Sequence, residues 1–126
     1  MITREQYARY IAAFNNNDFA GFTEFYADDV VLELPMTTLR GRQAILDFYT
    51  EVKKRVRETL KVGQLVLDEH GLAVEVDTEF HAFEDAPDFI VRPMKKGESI
   101  KSVSFILYEH EGGKFTRIRS ARYKMG

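Results

Sequence analysis

Apolar positions recur at helical spacing through the first half of the chain and alternate through most of the second. Thr3 and Gln6 have the spacing of a capping box. Tyr7, Tyr10, Ile11 and Phe14 follow at i, i+3, i+4 and i+7, which predicts an amphipathic helix. Asn15, Asn16 and Asn17 stop it. Asp18 is a good N-cap for a second helix with Phe19, Phe22, Phe25 and Tyr26 on one stripe, ending at Asp28 and Asp29. Val30 to Leu34 is a short β-branched run closed by Pro35. After a turn at Gly41, the residues Ile45, Phe48, Tyr49, Val52 and Val56 mark a third helix. Lys53, Lys54, Arg55 and Arg57 would form its solvated face.

From residue 60 the period becomes two, and strands are expected at 60–69 and 72–83 around a turn at His70-Gly71. The second strand alternates cleanly, with Leu72, Val74, Val76, Thr78, Phe80 and Ala82 on one face. Glu75, Asp77, Glu79 and His81 occupy the other. Residues 84–97 form a long irregular connection containing Pro87 and Pro93, a length at which loops are often functional. Strands at 99–111 and 114–124 follow, joined by the two-residue turn Gly112-Gly113. An unbroken register from that turn pairs Leu107 with Ile118, Phe105 with Ser120 and Val103 with Arg122. Opposed residues share a face, so these six are expected inside, with Ile106 and Tyr108 outside. Three N-terminal helices on a strongly curved antiparallel sheet make an α+β fold, a cone-shaped, cystatin-like α+β barrel with its cavity between the layers.

The chain has 126 residues, enough for one domain spanning 1–126. Its residues are 44% hydrophobic and 30% charged. Its ten Phe and six Tyr suit either an aromatic-walled cavity or an aromatic-filled core. A net charge of −2 with interspersed signs argues against nucleic-acid and membrane-surface partners. There is no cysteine for thiolate chemistry or disulfides, and no long apolar run. A cytoplasmic location is the expectation.

The segments 10–18 (Tyr-Ile-Ala-Ala-Phe-Asn-Asn-Asn-Asp) and 25–30 (Phe-Tyr-Ala-Asp-Asp-Val) carry a family resemblance. So do Gly41-Arg-Gln-Ala-Ile45 and the following Phe48-Tyr49. Together they resemble the nuclear transport factor 2-like superfamily, in its branch of SnoaL-like polyketide cyclases and ketosteroid isomerases. The resemblance covers residues 4–52 well and the sheet loosely. It implies that Tyr10 is a phenol donor to an enolate oxygen, supported by Tyr26 and Tyr49 through a hydrogen-bonded chain. Core packing of the same three rings is the plainer alternative. The isomerase pattern is broken at two places. Its general base falls on Leu34 and its second acid on Phe105, and neither side chain transfers a proton. Glu33 neighbours the first position, but strand alternation points it away.

Other chemistries fit less well. His70, His81 and His110 share no metal-ligand spacing, so no metal is expected, and nothing in the chain calls for a cofactor. An epoxide hydrolase of this fold would need an inward Asp–Arg–Asp set, of which the sequence offers Arg122 alone. An inward Arg122 would either take an anionic ligand group, carboxylate or enolate, or snorkel to water. The expected cavity gathers Phe14, Leu34, Thr78, Phe80, Phe105, Ile118, Ser120 and Arg122 around Tyr10. Its ligand would be a small hydrophobic or aromatic molecule. Two readings remain open. One is a cofactor-free isomerase, cyclase or lyase whose base comes from substrate, from water, or from Glu84, Asp85 or Asp88. The other is a non-catalytic binding or dimerisation module. Either would form a homodimer through the convex sheet face.

Overall fold

The computed structural model describes residues 1–125. Helix α1 (Arg4–Asn15) begins at the expected capping box, with Thr3 Oγ1 accepting from Gln6 N and Gln6 Oε1 accepting from Thr3 N. Helix α2 (Phe19–Thr23) is capped by Asp18, which accepts from Gly21 N. It stops earlier than the aromatic stripe suggests. Tyr26 opens strand β1 (Tyr26–Glu33) because its backbone is registered with Phe115 in a sheet ladder. That tertiary pairing outweighs a local helical pattern.

A missed short strand, β2 (Thr38–Arg40), pairs antiparallel with β1 and leads through Gly41 into α3 (Arg42–Val52). Gly41 has φ 92°, a backbone region that favours glycine. Helix α3 does not reach Val56. It ends at Val52, and β3 (Val56–Leu67) starts earlier than its expected residue 60. Of the basic run, Lys53, Lys54 and Arg55 therefore form a turn and Arg57 lies in β3, rather than all four making a helix face. Lys53 in it is buried: its ammonium donates to Phe14 O at 2.6 Å and Asn17 Oδ1 at 2.9 Å, and stands over the Phe14 ring.

Strands β4 (Gly71–Ala82), β5 (Ser99–Glu111) and β6 (Lys114–Met125) complete a curved, unclosed sheet ordered β2-β1-β6-β5-β4-β3. It is mixed rather than purely antiparallel, because β1 runs parallel to β6. The three helices cover its concave face. The main core lies between them, and a smaller cluster of Val56, Phe80, Ala82, Ala86, Phe89, Met94 and Ile100 seats the 84–97 connection. That connection is a tethered strap: Ala86 and Met94 exchange backbone hydrogen bonds of 2.8 and 3.0 Å. No described helix is long and apolar enough to cross a membrane.

The expected register fails within β5 while its hairpin turn holds. Gly112 and Gly113 both have positive φ, as a two-residue turn requires, and Glu111 pairs with Lys114. A bulge between Glu109 and His110 then shifts the ladder, so Tyr108 faces Ile118, Ile106 faces Ser120 and Ser104 faces Arg122. The β6 residues keep their expected inward face, but the β5 face is reversed. Phe105 is 52% exposed and Leu107 41% exposed, on the convex side, while Ser102, Ser104 and Tyr108 are buried. Pairing with β4 shows why: Thr78 opposes Ser102 and Val76 opposes Ser104, and the inward parity of β4 is unambiguous.

Candidate functional site

Every expected cavity residue but one converges on a single space of about 100 Å³ between helices and sheet. Tyr10 and Phe14 come from α1, Tyr49 from α3, and Tyr26 and Leu32 from β1, with Leu34 beyond its end. Thr78 and Phe80 arrive on β4, and Ile118, Ser120 and Arg122 on β6. The exception is Phe105, which lies outside. The inward positions of β5 are instead Ser102, Ser104, Ile106 and Tyr108. The acid that the isomerase pattern would place at Phe105 thus has no counterpart there. The inward residues on either side of it along the strand are Ser104 and Ile106.

The phenols are arranged differently from a three-membered chain. Tyr10 and Tyr26 hydroxyls lie 2.7 Å apart, and Tyr7 and Tyr108 form a second pair at 2.8 Å. Tyr49 joins neither; its ring packs edge-on against Phe14, Phe22 and Phe48. Burial pushes the Tyr10 and Tyr26 phenols up, so both are neutral hydrogen-bonding groups at ordinary pH. When Tyr26 donates to Tyr10, the Tyr10 proton is left to point at whatever occupies the cavity.

The residue that sequence reasoning missed is Glu58. It lies near the start of β3, lines the cavity, and is the carboxylate there. Loss of solvent pushes its carboxyl up to about 7, against a smaller downward pull from the Lys53 ammonium. Lys53 is itself pushed down to about 8 by burial. Glu58 also lies within electrostatic reach of Tyr10 and Tyr49, whose ionisation it opposes. A carboxyl poised near neutral pH beside neutral phenols can take a proton and give it back. The signal was present in the sequence. Val56, Glu58, Leu60 and Val62 alternate, and only the assignment of Val56 to a helix hid it.

The other acids considered lie elsewhere. Glu33 accepts from Arg117 Nε at 2.7 Å, which holds its carboxyl below the usual range. Glu84, Asp85 and Asp88 on the strap are exposed, and Asp85 accepts from Lys96 N. The strap instead contributes Phe89, Ile90 and Val91 to the cavity wall, with Phe89 edge-on to Phe80. Among the described residues no three of His, Asp and Glu cluster as metal ligands would.

A family model described as the SnoaL-like domain matches residues 7–118. No curated protein matches the sequence significantly. Among solved structures, a candidate polyketide cyclase from Pseudomonas putida KT2440 aligns with a TM-score of 0.79 and 19% identity, over 94% of this chain and 88% of that one. An epoxide hydrolase of M. tuberculosis aligns with a TM-score of 0.75 and 15% identity, over 93% and 79%. A protein with a ketosteroid isomerase-like fold from Catenulispora acidiphila, in complex with trimethylamine, aligns with a TM-score of 0.75 and 12% identity, over 94% and 85%. At such identities these likenesses carry the fold alone.

Proposed function

Because the chain belongs to the SnoaL-like domain family, we propose that its cavity binds a small apolar or aromatic carbonyl compound. There it would catalyse a cofactor-free proton transfer of the isomerase, cyclase or lyase kind. One observation carries this reading: the half-buried carboxyl of Glu58, poised at about 7 by loss of solvent, shares the cavity with Tyr10. In the reaction the Glu58 carboxylate removes a proton from the carbon beside the carbonyl. The electron pair left behind moves onto the carbonyl oxygen, where the Tyr10 hydroxyl donates to the enolate, itself receiving a hydrogen bond from Tyr26. The Glu58 carboxylic acid then returns the proton, to a different carbon in an isomerisation. In a cyclisation the enolate carbon instead attacks a second carbonyl, whose π pair moves onto its oxygen, and that alkoxide takes the proton back from the Glu58 carboxylic acid. The apolar wall of Leu32, Leu34, Phe48, Phe80 and Ile106 strengthens both interactions by thinning water around them.

The test is deuterium exchange at the α-carbon of small aryl ketones in D2O, followed by NMR. Removing a general base typically lowers a rate by about 10²–10⁴-fold, so Glu58→Gln should lose exchange on that scale. If Glu58→Gln exchanges as fast as the wild-type protein, the catalytic reading fails and a ligand-binding module takes its place.

The convex face supports a second element of the proposal, a symmetric homodimer. Phe105 stacks on Tyr123 with ring centroids 4.5 Å apart, and Leu107 and Val66 stand exposed beside them. A large apolar patch between charged Glu75 and Arg119 suits a two-fold contact with a second copy.

A further inference from the structure

The three arginines of β6 differ in their partners. On the convex side, Arg117 donates from Nε to Glu33 Oε2 at 2.7 Å, and Arg119, whose own Nε is buried without a partner, donates from Nη2 to Glu109 Oε2 at 3.2 Å. Arg122 faces the cavity. Its Nε is buried without a partner, and its Nη2 reaches only the Met36 thioether, at 3.9 Å. No carboxylate pairs with it among the described residues. A thioether is a weak, neutral acceptor. Arg122 is half-buried, and the Nε that is held away from water lacks the oxygen acceptor that would offset its desolvation. The hydroxyls of Ser104, directly opposite on β5, and of Ser120, two residues along, face the same space.

Position separates this group from the proton-transfer residues. Glu58 is on β3 and Arg122 on β6, with β4 and β5 between them. Three inter-strand steps of about 4.8 Å each put the two on opposite walls. One ligand group therefore cannot serve both, and the enolate oxygen belongs at Tyr10.

We propose that Arg122, with Ser104 and Ser120, is an anion subsite that holds a substrate carboxylate, so that the ligand is an apolar carbonyl compound bearing a carboxylate at its far end. The guanidinium fork takes two carboxylate oxygens, which fixes the ligand's direction as well as its charge. This rests on the reading of the cavity as a ligand site, but not on Glu58 acting as a base.

The experiment is calorimetric titration with benzoate, phenylacetate, 3-phenylpropanoate and 4-phenylbutanoate, each against its own primary amide. At least one acid should bind roughly tenfold or more tightly than its amide, a difference of about 1.4 kcal/mol. Arg122→Gln should bring that ratio to within about twofold, and Arg122→Lys should keep part of it. Acids binding no tighter than amides, no acid binding at all, or a preference that survives Arg122→Gln would each overturn the subsite. If Arg122→Gln does not fold, the wild-type ratio and that of Arg122→Lys decide. Loss of exchange in Glu58→Gln together with equal acid and amide affinities would end the subsite while leaving the proton-transfer reading intact.

Discussion

Burying Glu58 has a cost that can be read as stability. Its folded carboxyl is raised from 4.5 to about 7, so between those values the folded protein holds a proton that the unfolded chain has released. The stabilisation is complete below about 4.5 and is lost as the pH rises through about 7. Glu58→Gln removes the ionisation. The variant should match the wild-type protein near pH 4 and be more stable at pH 8 by on the order of 2 kcal/mol. Urea unfolding at both pH values measures this, and equal stabilities at pH 8 would show that water reaches the carboxyl freely. Tyr10→Phe separates chemistry from packing. The ring stays among Phe25, Tyr108 and Phe115, so stability should fall only by the roughly 1–3 kcal/mol of leaving the buried Tyr26 hydroxyl unpaired. Exchange by the fully folded protein should nonetheless fall by about 10²-fold, as loss of an oxyanion donor does. A variant that loses stability and exchange in proportion would make Tyr10 structural.

At the scale of elements, helix ends and strand registers decide what the site contains. The Asn15 side chain illustrates this. It ends α1, as the triple asparagine suggests, and also donates to Leu60 O at 2.9 Å and accepts from Leu60 N at 2.8 Å. The amide thus pairs with the open edge of β3, just beyond Glu58. Asn15→Ala should cost about 1–3 kcal/mol by leaving two partly buried backbone groups unpaired. Denaturant midpoints measure it, and a loss below about 0.5 kcal/mol would mean that water replaces the amide. Helix starts, the β4 alternation and the glycine turn were legible because each rests on neighbours in sequence. The face of β5 was not. Its large side chains, Val103, Phe105 and Leu107, look like a core stripe, but the concave wall takes Ser102 and Ser104 instead. The bulge that separates β5 and β6 registers leaves no local mark. Glu58 was hidden for a related reason, since a period of two and a period of four both fit Val52, Val56 and Leu60.

For the whole molecule, the cone geometry and the three phenols followed from pattern and family resemblance, while the acid and the convex apolar face came only from tertiary pairing. Turning Phe105 and Leu107 outward enlarges the exposed apolar area that a second copy would cover. Sedimentation of the wild-type protein at micromolar concentration should give a dimer. Phe105→Glu should give a monomer that retains its fold, because this ring is mostly outside the core. A monomeric wild-type protein, or a dimeric Phe105→Glu variant, would move the contact away from this face.

Partial loss of water holds the cavity carboxyl of Glu58 near neutrality. Carbon-13 NMR of protein labelled at the glutamate side-chain carboxyls, titrated from pH 3 to pH 9, observes it directly. One resonance, absent from Glu58→Gln, should titrate near 7 while ordinary glutamates titrate near 4.5. It should also shift when an aryl ketone is added. A Glu58 resonance titrating near 4.5 and indifferent to the ketone would contradict the account.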